Sequence, residues 1–438
     1  MNNGWKISAE WETLDTGSQE ERSCFAALGI QANDRWLTEG RDALANRLRQ
    51  APLLSAYHLA EWFAWNWWRL RWEPRASNPD WAFAHKMSNI GGGYIWPNIT
   101  IFSDGERTAL LAKATRERIE TPFRYITDAA AILPSGKFEV VVDEFVGQVL
   151  ERLDAQGVGP TNLSCLWSDV IAERGDPELS RIRKLEALLG KQPDDLGEDE
   201  VIEFLNSAER FGISAVEEIA ADQGHSLASA SVSASGLLAA AQRGFAVKPS
   251  EMVRLRRAPD SSNRPADIPA WRLGAEMAKA LRDQEALGDA PLENVRLAEF
   301  LAAEKGIAEA TKNTELGISI LVHSNAEAHI ALRSRWQSGR RFELARLLCD
   351  HLMHPDDRLS PATRANTYRQ KVQRSFAAEL LSPFFSVMNM LQGDYSQESL
   401  LDLAQHFNVS EMTIRTQLVN HGVLEREDLD PDAVLQVA

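Results

Sequence analysis

The chain has 438 residues, 44% of them apolar and 25% charged, and a formal net charge of -16. That length exceeds one ordinary core, so two or three domains are expected, and the charge disfavours bulk binding of nucleic acid outside a local basic patch. Three widely spaced cysteines, Cys24, Cys165 and Cys349, exclude a disulfide framework and a zinc knuckle. With no leader-like start and no apolar run long enough for a bilayer, the expectation is a cytoplasmic protein without membrane contact.

In chain order, "WKISAEWETLD" places Trp5, Ile7, Ala9 and Trp11 on one face, which predicts a half-buried strand. "YHLAEWFAWNWWRLRWEP" then sets Trp62, Trp65, Trp67, Trp68 and Trp72 on a helix. Trp65, Trp68 and Trp72 share a face, and Trp67 points elsewhere. Two readings follow. One is an aromatic core with Arg69 and Arg71 at its edge. The other is a partner-binding surface of Trp62, Trp65, Trp68, Arg69 and Trp72, where stacking on a base contributes ~1 to 3 kcal/mol. "GGGYIW" reads as a turn, since no Lys-Ser/Thr pair follows it. "GGGYIWPNITIFSD" and "LPSGKFEVVVDEF" both predict strands. Residues 1–150 thus read as a Trp-rich α+β domain.

Residues 151–222 read as a helical module on the spacing of "ELSRIRKLEALLG" and "DEVIEFLNSAERFGISAVEEIAA". The Ser, Ala and Pro-rich stretch 223–269 reads as a linker that carries the basic residues Arg254, Arg256 and Arg257. From Trp271 onward helices alternate with one buried strand, "GISILVHS", and a helix is predicted after a turn at Ser338-Gly339.

"RRFELARLLCDHLMH", "VQRSFAAELLSPF" and "LLDLAQHFNVSEMTIRTQLVNHGVL" together resemble the ImmA/IrrE (DUF955) metallopeptidase family. Members run an Arg-Phe-x-Leu-Ala segment into H-E-x-x-H, then a helix ending Phe-Ala-Ala-Glu-Leu-Leu-x-Pro, then a helix-turn-helix-like tail. The resemblance rests on Arg341, Phe342, Leu344, Ala345, Phe376 to Leu381 and Pro383. It implies a zincin-like C-terminal domain over 270–438 and, overall, a multidomain, mostly helical α+β protein.

The family's chemistry does not carry over. Where it has His, Glu and His, this chain has Arg346, Leu347 and Asp350. The family's third ligand is a Glu ahead of Phe-Ala-Ala, and here that neighbourhood reads "RQKVQRS". The i, i+4 spacing of Arg346 and Asp350 predicts an ion pair in place of the metal. A relocated site of Asp350, His354 and Glu379 is the enzyme alternative, although His354 ahead of Pro355 is also placed to end the helix. No cofactor is expected, zinc included.

In the tail, Leu403, Ala404, Phe407, Val409, Ile414 and Leu418 have helix-turn-helix spacing, with Ser410 as N-cap. Thr413, Arg415 and Gln417 are the candidates for nucleic acid, opposed by Glu411; the other reading is a packing element. The function that follows is a non-catalytic regulatory or scaffold protein that binds a protein partner. By the resemblance, its setting is bacterial stress, mobile elements or phage defence, where active relatives cut repressor-like regulators. The alternatives are a DNA-binding regulator and a metallopeptidase with a relocated metal.

Overall fold

The computed structural model describes residues 4–76, 79–115, 121–224, 233–256, 268–310, 314–324 and 327–425. Among them are sixteen α-helices and fourteen strands in small antiparallel sheets, a mixed α+β architecture. No helix of the described residues is long and apolar enough to cross a membrane. The chain divides into two compact units, Met1–Leu196 and Gly197–Ala438.

The first unit runs β1 (Trp5–Trp11), α1 (Gln19–Ser23), β2 (Phe25–Ala32), β3 (Arg35–Trp36), β4 (Gly40–Asp42), β5 (Arg47–Arg49), β6 (Leu53–Ser55), α2 (Ala56–Trp72), α3 (Pro79–His85), β7 (Ile99–Ser103), β8 (Arg107–Ala112), β9 (Phe123–Tyr125), β10 (Ala129–Pro134), α4 (Ser135–Ala155), α5 (Asn162–Gly175) and α6 (Pro177–Leu188). β2 pairs with β1, β3 and β6, β8 lies between β10 and β7, and β4 lies between β5 and β9. β1 has the bounds its alternation predicts, with Trp5 buried and stacked on Phe138 at 5.5 Å.

Around α2 pack α4, α5, α6, β7 and β2, so apolar side chains are buried on nearly every side of it. "LPSGKFEVVVDEF" departs from expectation. The strand β10 ends at Pro134 and the remainder begins the 21-residue helix α4. Its valines misled because β-branched residues favour strands. The deciding pattern is Phe138, Val142, Phe145, Val146, Val149 and Leu153, spaced by three and four and all buried, while Val140 is exposed. The glycine turn is as expected, with Gly91, Gly92 and Gly93 all at positive φ and Trp96 Nε1 donating to Gly91 O.

The second unit runs α7 (Glu198–Phe211), α8 (Ile213–Gly224), α9 (Ala234–Gln242), β11 (Phe245–Val247), α10 (Ala270–Gln284), α11 (Asn294–Phe300), β12 (Ser319–Ser324), β13 (Glu327–Ala331), α12 (Gln337–Met353), β14 (Leu359–Ala362), α13 (Tyr368–Leu381), α14 (Phe384–Leu391), α15 (Gln397–Phe407) and α16 (Glu411–Asn420). Its antiparallel sheet has the order β11-β13-β12-β14. α10 and α13 cross closely at Gly274, where a Cβ would stand 2.4 Å from Val372 O and 2.7 Å from Phe376 N. Leu344, Ala345, Phe376, Ala377, Leu380 and Leu381 are all fully buried in one core with α10.

Three expected boundaries move. Residue 150 falls inside α4, so the first unit continues through α5 and α6. The stretch 151–222 is helical but is shared between the units, α7 and α8 belonging to the second. Within 223–269, α9 packs on β12 and β13, and β11 pairs with β13, so part of the supposed linker completes a sheet. Finally, Trp336 is the N-cap of α12, which puts Ser338-Gly339 within its first turn.

Candidate functional site

α12 is held against the sheet through Glu343, whose carboxylate accepts from Ser319 Oγ at 2.7 Å and Ser334 N at 2.9 Å and pairs with Arg333 at 3.3 Å. One turn further on, Arg346 and Asp350 turn toward α13. Asp350 is fully buried. Both of its oxygens are taken by Arg369: Nε reaches Oδ1 at 2.7 Å and Nη2 reaches Oδ2 at 2.5 Å, with Gln373 Nε2 adding 2.7 Å to Oδ1. Arg369 also meets Asp357 at 3.0 Å and Ser214 Oγ at 2.8 Å. Burial alone would raise the Asp350 pKa, but the charge and hydrogen bonds of Arg369 outweigh it and hold the carboxyl below its ordinary range.

Arg346 uses Nη2 on Thr363 O at 2.6 Å and on Gln370 Oε1. Gln370 in turn accepts from Thr363 N at 2.9 Å and donates to Pro361 O at 3.0 Å. Thr367 caps α13 and gives its hydroxyl to Glu218 at 2.6 Å. Arg369, Gln370 and Gln373 therefore bring one face of α13 onto Arg346 and Asp350 of α12 and onto β14. Leu347, between them in sequence, is fully buried.

This geometry corrects the expected Arg346–Asp350 pair. Asp350 binds the planar fork of Arg369, which offers two parallel bonds from a facing helix, and Arg346 goes to a carbonyl and an amide. Nor does a relocated metal site assemble. Glu379 lies near the other end of α13, buried, accepting from Phe384 N and from Gln417 Nε2 at 2.8 Å, and its pKa is raised by that burial. His354 ends α12 as its C-cap, its amide on Asp350 O at 2.8 Å. Among the described residues no three His, Cys, Asp or Glu side chains group to hold a metal. A guanidinium, two carboxamides and an already paired carboxylate are also the wrong donor set for zinc.

Sequence reasoning missed Arg369, Gln370 and Gln373. Their signal was the polar spacing i, i+1, i+4 on a helix that otherwise runs straight into the core. It also missed His323, whose ring stacks at 5.8 Å on that of His351 beside the network. His351 is buried with no hydrogen-bond partner on either ring nitrogen. Burial, then His323 and Arg254, push its pKa down to about 4.

The tail has the expected helices, and Leu403, Ala404, Phe407, Val409, Ile414 and Leu418 are buried, with Ser410 Oγ accepting from Thr413 N. Two of its nucleic-acid candidates are engaged internally. Gln417 is buried on Glu379 and Ser382 O, and Arg415 is paired with Glu411 at 2.6 Å; Thr413 stays partly exposed beside Ser410. The two ends of the basic stretch differ: Arg254 and Arg256 are exposed and tied through their backbones to Gln284, while Arg257 lies outside the described residues.

The tryptophan surface is also corrected. Trp62 and Trp68 are buried, Trp68 donating to Glu173 at 2.7 Å; Trp67 meets Trp167 edge-on at 5.5 Å. Arg69 is buried on Glu73, which also holds His85. Trp72 is half-buried under Arg71 and Lys184. Only Trp65 of the five candidates, 55% exposed, faces solvent broadly. All three cysteines are free.

No family model, curated protein or solved structure matches this chain.

Proposed function

We propose that the second unit contains, over 270–438, a degenerate ImmA/IrrE-like, zincin-like domain and that the protein is a non-catalytic regulatory or scaffold protein that binds a protein partner. The reading extends to a bacterial stress, mobile-element or phage-defence setting. One observation carries its non-catalytic part. Where such a peptidase needs ligands and a base, α12 and α13 offer Arg346, Leu347, Asp350, Arg369, Gln370 and Gln373, all buried and with the carboxylate already committed. A leucine cannot move a proton, and binding a cation there would first require breaking the Asp350–Arg369 pair. A polypeptide-binding shape survives loss of chemistry because fold and site are separable.

The test uses the full chain purified without added zinc or chelator. Metal analysis is expected to find far less than one zinc per chain, and zinc-supplemented protein is expected to leave an unfolded polypeptide such as casein uncut. Near-stoichiometric zinc that disappears in Asp350→Ala, with cleavage, would overturn the reading. For the binding part, crosslinking in the native cell is expected to map a specific partner protein onto the second unit; its absence there would count against a partner.

A further inference from the structure

Arg346 and Arg374 both reach one short loop after β14, and Arg364 is a residue of that loop. Arg346 donates to Thr363 O, Arg374 donates to Ala365 O at 2.9 Å and Asn366 Oδ1 at 3.4 Å, and Arg364 lies between. Their burial is graded. The Arg364 side chain is 56% exposed, Arg374 is part-buried, and Arg346 is 5% exposed.

Neither Arg346 nor Arg374 has a carboxylate at ion-pair distance among the described residues, in contrast to Arg369. The buried Arg282 spends its guanidinium on three carbonyls, of Gly288, Ala290 and Leu380. Arg346 instead leaves Nε buried with no hydrogen-bond partner among the described residues. Burial, and next the charge of Arg374, push the Arg346 pKa down to about 9, while burial pushes Arg374 down to about 10. Among the described residues the carboxylates acting on them, Glu343 and Asp222 on Arg346 and Glu218 and Asp222 on Arg374, do so only from beyond ion-pair distance.

The nearby carboxylates are already engaged, Asp222 with Arg364 itself. Glu343 holds Arg333, Ser319 and Ser334, and Asp222 accepts from Arg364 N at 2.6 Å with its Oδ1 3.9 Å from Arg364 Nε. Glu218 accepts from Thr367, and burial raises its pKa toward the neutral acid. Arg346 and Arg374 therefore share these carboxyls with Arg333, Arg364 and Arg369. A forked donor whose buried Nε is unpaired, beside a second guanidinium, matches a planar or tetrahedral oxyanion.

We propose that Arg346, Arg364 and Arg374 form a binding site for a carboxylate or phosphate oxyanion. It deepens the partner-binding reading, on which it rests only for the idea that a protein partner carries the anion into the site.

The probes are inorganic phosphate and succinate, added to the full chain at matched ionic strength with chloride as control, and the readout is the thermal transition of the second unit. One or both probes are expected to raise that transition saturably. Apparent affinity should fall about tenfold or more in Arg364→Gln and in Arg374→Gln, and stay unchanged in Arg272→Gln, an exposed arginine on α10. A response to phosphate alone assigns a phosphate-bearing group, and a response to succinate alone assigns a carboxylate. No saturable rise, or an equal rise in the variants, overturns the proposal. Should Arg374→Gln fail to fold, the exposed Arg364→Gln decides. A protein that captures its partner but ignores both anions would leave the regulatory reading standing and remove this one.

Discussion

Replacing Arg369 by leucine removes the only cation that, among the described residues, is bonded to the buried carboxylate of Asp350. For charges about 4 Å apart at an effective dielectric of about 20, the lost attraction is about 4 kcal/mol, in line with about 3 to 5 kcal/mol for breaking a buried pair from one side. The bond to the partly exposed Asp357 adds less than about 1 kcal/mol. Replacing both partners, Asp350→Leu with Arg369→Leu, is expected to restore stability to within about 1 kcal/mol of the parent, because neither charge is then stranded. Gln373 Nε2 would still have Pro361 O at 3.1 Å. With two units in the chain, a single global transition is a poor readout. Hydrogen exchange of α12 and α13 peptides across a urea series, with α2 peptides as internal reference, measures the second unit alone. The pair also sets a pH window. Asp350 has a depressed pKa, so its contribution is present above the unfolded value near 3.8 and is lost as pH falls through the folded one. A single variant that costs under about 1 kcal/mol, or a double variant no better than the single, would refute this reasoning.

His351 should make the second unit acid-labile at milder pH. Its pKa is about 4 in the fold against an ordinary 6.5, so the unfolded chain takes up the proton first and stability falls from pH 6.5 toward 4, by about 3 kcal/mol. His351→Phe should flatten that slope in a urea series run at several pH values. Gly274→Ala should destabilise the α10–α13 crossing by about 1 to 3 kcal/mol, since the new methyl meets backbone atoms of α13 that cannot rotate away; unchanged hydrogen exchange of α10 and α13 peptides across the urea series would contradict the close approach. Trp67→Ala should cost about 3 to 5 kcal/mol and Trp65→Ala less than about 0.5, and equal effects in denaturant titrations would show that α2 is oriented otherwise.

What could be read from the residues was mostly local. β1 alternates over its own seven residues, Ser410 caps its own helix, and three glycines in a row force their own turn. The α4 segment failed because a run of valines expresses β preference, while its helical spacing emerges only over the longer span from Phe138 to Leu153. The site failed for another reason. Arg346 and Asp350 are neighbours on one helix, so a local pair was the natural expectation, but Asp350 finds its partner nineteen positions away on α13. Long-range competition for a carboxylate leaves no trace in spacing. The tryptophans illustrate the same limit, because helical phase groups Trp65 with Trp68 and Trp72 but does not say how many elements surround α2.

The interlocking of α12 with α13 constrains how this region can change from one sequence to the next. Histidine at 346 alone would leave Gln370 Oε1 and Thr363 O short of the donor they now share, and a neutral residue at 350 alone would leave the buried Arg369 cation with only the partly exposed Asp357 at ion-pair distance among the described residues. Single steps in either direction are therefore penalised, and tolerated routes alter several positions at once. Among relatives of this chain, residue 346 should covary with 370, and 350 with 369 and 373, as correlated sets rather than as independent sites.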